Sequence, residues 1–229
     1  MISPPVHPVL IVNARSGGGK AVRNDLVTEC QARDIEAIQF EPGDDLAALA
    51  AAAIGNGADA LGMAGGDGSQ ALVAGVAAEH DIPYVCVPAG TRNHFALDLG
   101  VDRNDVVSAL DAFTAGDERR IDLGQVNGRV FVNNVAMGVY GAVVQSPAYR
   151  AHKVRTVVET LPDVLGPDAE PFDLRFVGPD GRAHDTAVLV LVSNNRYTID
   201  PRPQRRTRGE IDGGVLGVVA VTGPPPRGA

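Results

Sequence analysis

Met63-Ala64-Gly65-Gly66-Asp67-Gly68-Ser69 is the stretch on which the reading of this chain turns. The apolar run Ala60 to Ala64 leads into it, and an Ala/Val/Leu-rich helical pattern follows from about Ser69 to Glu79. A strand that breaks into consecutive glycines and then starts a helix brings backbone N–H groups to one point, which is the geometry of a phosphate site. Asp67 stands in the middle of that turn. Its carboxylate repels a phosphate but suits a metal ion or a hydroxyl.

Two further loops of the same kind flank it. Val9 to Val12 is a short apolar run that ends in Asn13-Ala14-Arg15-Ser16-Gly17-Gly18-Gly19-Lys20, and Val22, Leu26 and Cys30 follow at spacings of four, one face of a helix. This loop lacks the glycine spacing of a Walker-type P-loop. Three glycines beside Ser16 and Lys20 still suit a polyphosphate; a plain surface turn is the alternative. Ala37 to Phe40 predicts a second strand, and Asp44 or Asp45 is placed to cap a helix over Leu46–Ile54. Tyr84 to Val87 predicts a fourth strand, followed by Pro88-Ala89-Gly90-Thr91-Arg92-Asn93 and a helix over Asn104–Ala115. Strands alternating with helices predict an α/β fold with a doubly wound parallel sheet over residues 1–117, with ligands at the C-terminal ends of the strands. All three loops fall at such ends.

Near residue 118 the pattern changes. Arg119 to Leu123 and then Val126 to Val130 predict a β-hairpin around Asn127-Gly128. Phe172, Leu174 and Phe176 alternate with polar residues, Pro179-Asp180-Gly181 turns, and Ala187–Val192 and Val215–Val221 suggest more strands. A helical insert is expected near Lys153–Leu165. Residues 118–229 are therefore expected to form a mainly antiparallel β domain, incomplete at its C-terminal end.

The formal charge of −8 argues against nucleic acid as a partner, because such affinity comes from a basic face. The two cysteines, Cys30 and Cys86, sit in apolar patterns and are expected to be reduced core thiols. The start has no basic segment followed by an apolar one, and no run approaches the ~20 apolar residues that span a bilayer. A cytoplasmic protein, in peripheral contact with a membrane at most, is the expectation.

With these residues in view, the chain resembles the diacylglycerol kinase catalytic-domain family of lipid kinases. The resemblance rests on Asn13, Ser16 and Gly17, on Gly65 to Ser69, on Pro88 to Asn93, on Arg120-Ile121-Asp122-Leu123-Gly124, on Asn195-Arg196, and on Ile211-Asp212-Gly213-Gly214. It implies a kinase that moves the γ-phosphoryl of ATP to a lipid hydroxyl with Mg2+. It places Gly65, Gly66, Asp67, Gly68, Ser69 and Thr91 at the phosphates, with Asn13, Ser16, Lys20 and Asn93 nearby. Asp67 and Asp122 become the acidic groups of the reaction, residues 118–229 the lipid-facing part, and Asp212 the remaining ligand of a structural Mg2+.

The chain departs from the family pattern at several positions. Ala71 and Leu72 stand where an Asn-Glu pair is usual, His94 where an Asp follows Gly-Thr-x-Asn, and Gly213 where a metal-binding Asp stands. No Asp-Gly-Glu segment, in which the family carries its base, follows Val215–Val221, so ATP binding is expected to outlast turnover. The cluster Arg202, Arg205, Arg206 and Arg208 is expected to meet anionic headgroups or simply to be solvated. A degenerate nucleotide-binding module is the alternative function, ahead of an NAD kinase or a phosphofructokinase-like enzyme.

Overall fold

The first four strands are β1 (Pro8–Val12), β2 (Glu36–Gln39), β3 (Ala60–Ala64) and β4 (Tyr84–Val87). Apolar residues run unbroken through β1, β3 and β4, whereas the edge strand β2 has exposed polar ends, Glu36 and Gln39. Such runs belong to parallel strands covered on both faces, and all pairings among these four are parallel. Alternate residues serve opposite faces: Val9, Ile11, Leu61 and Met63 join one buried cluster, while Leu10, Val12, Ala60 and Ala64 join another. Gly62 is small for a packing reason. A Cβ there would stand 2.6 Å from Phe113 Cζ and 3.0 Å from Leu10 Cδ1.

The computed structural model describes residues 4–138, 174–178, 181–197 and 208–222. They fall into two compact units, Met1–Asn133 with Asn194–Val215, and Asn134–Ser193 with Leu216–Ala229. In the first, the sheet order is β2-β1-β3-β4. The chain leaves β1 toward one edge and β3 toward the other, so a crevice opens beyond the C-terminal ends of β1 and β3.

The helices are α1 (Lys20–Arg23), α2 (Leu26–Gln31), α3 (Leu46–Gly55), α4 (Asp67–Glu79), α5 (His94–Asp98) and α6 (Ala112–Ala115). Asp45 is the cap of α3, accepting from the amides of Ala47 (3.0 Å) and Ala48 (3.1 Å). Two expected helices differ. The one through Val22, Leu26 and Cys30 is broken: Asp25 takes φ 45°, a left-handed conformation that Asp tolerates, so Leu26 and Cys30 are buried while Val22 is 65% exposed. The one over Asn104–Ala115 begins late, as a 3-10 turn at Ser108–Asp111 leading into α6. Asp105 takes the Ser108 amide (3.0 Å) and hydroxyl (2.7 Å) ahead of it.

The expected hairpin forms around Asn127-Gly128, with its first strand nearer the turn than Arg119–Leu123. Its strands are β5 (Gly124–Val126) and β6 (Arg129–Phe131), joined by Asn127 (φ 49°) and Gly128 (φ 75°). Two residues at positive φ match the right-handed strand twist. The hairpin belongs to the first unit. In the second, β7 (Asn134–Gly138) and β8 (Leu174–Val177) both pair antiparallel with the long β9 (Ala183–Asn194), and β10 (Leu216–Thr222) lies beside β9. An N-terminal parallel sheet followed by a mostly antiparallel one is the class the sequence predicts. The helix near Lys153–Leu165, the turn at Pro179-Asp180 and the loop over 200–207 lie outside the described residues. Among the described residues no helix is long and apolar enough to cross a membrane.

Candidate phosphate site

Three loops leave β1, β3 and β4 and meet through their backbones. The Asn13 amide donates to the Ala64 carbonyl (3.0 Å), and the Gly65 amide to the Val87 carbonyl (3.3 Å). Gly17 has φ +55°, and a Cβ on it would collide with the carbonyl oxygens of Ala89 and Gly90. A Cβ on Gly90 would strike Gly66 Cα and stand 2.6 Å from Asn93 Oδ1. One on Gly66 would lie 3.8 Å from Ser16 Oγ. At Gly17 and Gly90 nothing larger fits between the loops, whereas a Cβ on Gly66 would make ordinary contact.

Beyond Gly66 the 13-residue α4 begins, and the Gln70 amide is the first to reach back, to Gly66 O at 2.9 Å. The amides of Asp67, Gly68 and Ser69 precede the first intrahelical bond, as in every helix, and sit at the positive end of the macrodipole. A Cβ on Gly68 would meet nothing within 4 Å, so a ligand can approach the backbone there. Asn93, at φ 50° and 4% exposed, donates its Nδ2 to the carbonyls of Pro88 and Gly90 (2.9 Å each). Its Oδ1 is buried and has no donor among the described residues. A buried acceptor of this kind is costly unless something completes it.

Asp67 is engaged: Oδ2 accepts from the His94 amide (3.2 Å) and Oδ1 from the Phe95 amide (3.1 Å), which caps α5. Ser69 Oγ donates to Gly66 O (3.0 Å). Lys20 holds the rim, its ammonium donating to the carbonyls of Pro88 (3.0 Å) and Arg103 (2.5 Å). Burial pulls its pKa below the ordinary lysine range. A cleft of about 510 Å³ opens between Lys20, Thr91, Arg92, His94 and Arg103. Another of about 580 Å³, beside Gly68 and Ser69, is walled by Phe40, Leu46 and Leu72. The structure thus gathers Asn13, Ser16, Gly65, Gly66, Asp67, Gly68, Ser69, Thr91 and Asn93, with Lys20 at the edge.

Asp122 and Asp212 are bonded elsewhere in this unit. Asp122 Oδ2 accepts from Asn195 Nδ2 (2.9 Å) and the Gly214 amide (2.6 Å), and its backbone amide donates to Ile211 O (2.8 Å). It braces the Ile211–Gly214 turn. Asp212 lies on that turn, exposed, 4.0 Å from the Arg119 guanidinium. Among the described residues no three His, Cys, Asp or Glu cluster as cation ligands. The surroundings of Asp212 do not fit a resident Mg2+; Asp67, a single carboxylate beside a phosphate cradle, fits one that arrives on a polyphosphate.

Arg208 corrects the expectation of a headgroup-facing cluster. Its side chain is 1% exposed, ion-paired with Asp98 (Nη2 to Oδ2, 2.5 Å) and donating from Nη1 to the carbonyls of Val132 and Asn194. A guanidinium with this many acceptors stays buried, whatever its neighbours in sequence suggest. Arg202, Arg205 and Arg206 lie outside the described residues. Cys30 and Cys86 are free and buried as expected; burial pushes Cys30 up to about 11 and Cys86 further.

Sequence reasoning missed Gln70, a polar side chain 1% exposed on the Ala- and Val-rich face of α4. Its polarity amid that face was the available signal. It also missed Asp98, whose partner lies 110 positions away.

The sequence profile of the Diacylglycerol kinase catalytic domain matches residues 7–126. A diacylglycerol kinase of Mycobacterium tuberculosis is 33% identical over 199 residues, covering 82% of this chain and 64% of that protein. One from Bacillus subtilis is 43% identical over 77 residues, 33% of this chain and 25% of that protein. The chain therefore spans about two thirds of the length of the first of these relatives and a quarter of the second. Among solved structures, that of a diacylglycerol kinase from Bacillus anthracis str. Sterne superposes with a TM-score of 0.68 at 24% identity, covering 96% of this chain and 75% of that one. That likeness speaks for the fold.

Proposed function

Since this chain belongs to the diacylglycerol kinase catalytic-domain family, we propose that it takes part in ATP-dependent phosphoryl transfer to a lipid hydroxyl. The observation that carries the reading is the meeting of Gly17, Gly66 and Gly90 beyond the ends of β1, β3 and β4, at the opening of α4. The amides of Asp67, Gly68 and Ser69, with the hydroxyls of Ser16 and Thr91, are the donors offered to the phosphates. Phe40, Leu46 and Leu72 offer apolar walls to a purine beside them. Phosphoryl transfer asks a protein mainly for positioning and charge neutralisation, and rigid backbone amides supply both. Mg2+ would reach this site on the nucleotide, neutralising phosphate charge, with Asp67 the carboxylate at hand. Asn93 Oδ1 and Asn13 line the cradle as acceptors, Lys20 fixes its edge, and Asp122 holds the Ile211–Gly214 turn in place. In this reading residues 1–117 serve ATP and residues 118–229 the lipid, diacylglycerol or a related alcohol.

A second reading is a nucleotide-binding module without turnover. It is favoured by Ala71, Leu72 and Gly213 at positions where the family carries polar groups, and by an Asp67 carboxylate occupied with two amides. Calorimetry with ATP, beside labelled-phosphate transfer over a panel of lipid alcohols, separates the two. Binding with transfer supports the kinase, binding alone the module, and no binding removes both.

A further inference from the structure

Gln70 is the fourth residue of α4, one turn beyond the phosphate cradle. Its Nε2 donates to the carbonyls of Met63 and Val87 (2.9 Å each), with Gly65 O at 3.3 Å, and its Oε1 accepts from Tyr84 Oη. Met63 and Val87 lie at the C-terminal ends of β3 and β4, where the ladder closes with Ala64 opposite Val87. Past that pair the two strands diverge into separate loops. Val87 O is a shared acceptor there, taking the amides of Gly65 (3.3 Å) and Ala89 (2.8 Å) as well. One carboxamide therefore ties the start of α4 to both strand ends at the point where they separate. A buried amide with its donors and its acceptor all engaged fixes geometry in a way an apolar side chain cannot.

We propose that Gln70 is a positioning residue for the phosphate cradle, setting the offset between the Gly65–Ser69 and Pro88–Asn93 loops. Through that offset it sets how closely Gly66 approaches Gly90. The proposal rests on the ATP reading for its functional meaning, but not for its geometry. Tyr84, held at the acceptor end of the carboxamide, keeps the group from rotating its oxygen toward the strand carbonyls.

The test uses the whole chain. In the wild type, the Gln70 side-chain amide protons should exchange with solvent at least a hundredfold more slowly than a free carboxamide; exchange at the free rate overturns the proposal, with no variant needed. Gln70→Met keeps the length and removes the donor. The Gly65 amide should then exchange at least tenfold faster while amides of β1 do not change, and an unchanged Gly65 amide overturns the proposal. Calorimetry with ATP should show a Kd at least tenfold weaker for Q70M. Gly62→Ala, which crowds Phe113 in the core, is the control for stability alone and should stay within twofold of wild type. A Q70M Kd within twofold of wild type, or an equal loss in G62A, overturns it. A wild type that binds no ATP defeats the ATP reading instead, and leaves the exchange measurements to judge Gln70.

Discussion

The two sheets of this protein meet solvent differently. Every residue of β1 and β3 is buried, since helices cover both faces of the parallel sheet. In β10, by contrast, Leu216 is 57% exposed, and Val218 and Val219 are also open. Equal hydrophobicity in the two sequences thus stands for different packing. In β1 and β3 an added or lost methyl has no room to be absorbed; in β10 it faces solvent among the described residues.

Four substitutions sharpen or break that contrast. The largest effect should come from Asp98→Ala, which strands the Arg208 guanidinium in the first unit: a loss of about 3–5 kcal/mol in denaturant unfolding. A loss under about 1 kcal/mol would mean that water reaches the pair. Next is Gly62→Ala, whose Cβ meets Phe113 and Leu10, at about 1–3 kcal/mol by the same measurement. Gly68→Ala should leave stability within about 0.5 kcal/mol, because its Cβ points into open space. It should nevertheless weaken ATP binding, by about tenfold in calorimetry, equivalent to ~1.4 kcal/mol. Smallest of all, Leu216→Thr should shift stability by no more than about 0.5 kcal/mol. If it costs as much as G62A, the contrast between the sheets fails.

Legibility followed the same divide. β3 and β4 were readable to the residue because doubly covered parallel strands leave an uninterrupted apolar run between turn residues. The three loops were readable because each places glycine just beyond a strand end, before a helix. The break at Asp25 was not, because a single left-handed residue leaves the spacing of Val22, Leu26 and Cys30 unchanged. Arg208 misled because charge in a Pro/Arg-rich stretch gives no sign of a partner at Asp98. Gln70 showed only as a polar residue on an apolar face, because its meaning lies in the carbonyls of Met63 and Val87, and Asn93 Oδ1, without a donor among the described residues, gave no sign.

The close approach of Gly17, Gly66 and Gly90 bears on the thermodynamics of binding as well as on shape. Loops that order only around a ligand charge the cost of their lost conformations to the binding event. Here the three loops already lock against one another, so chain entropy is surrendered during folding, when the whole sheet forms. Nucleotide association should accordingly carry the small heat-capacity change of a rigid pocket, well short of that expected when a segment folds onto its ligand. With the nucleotide bound as proposed, the glycines would convert a recurring entropic penalty at each binding event into one met once, at folding.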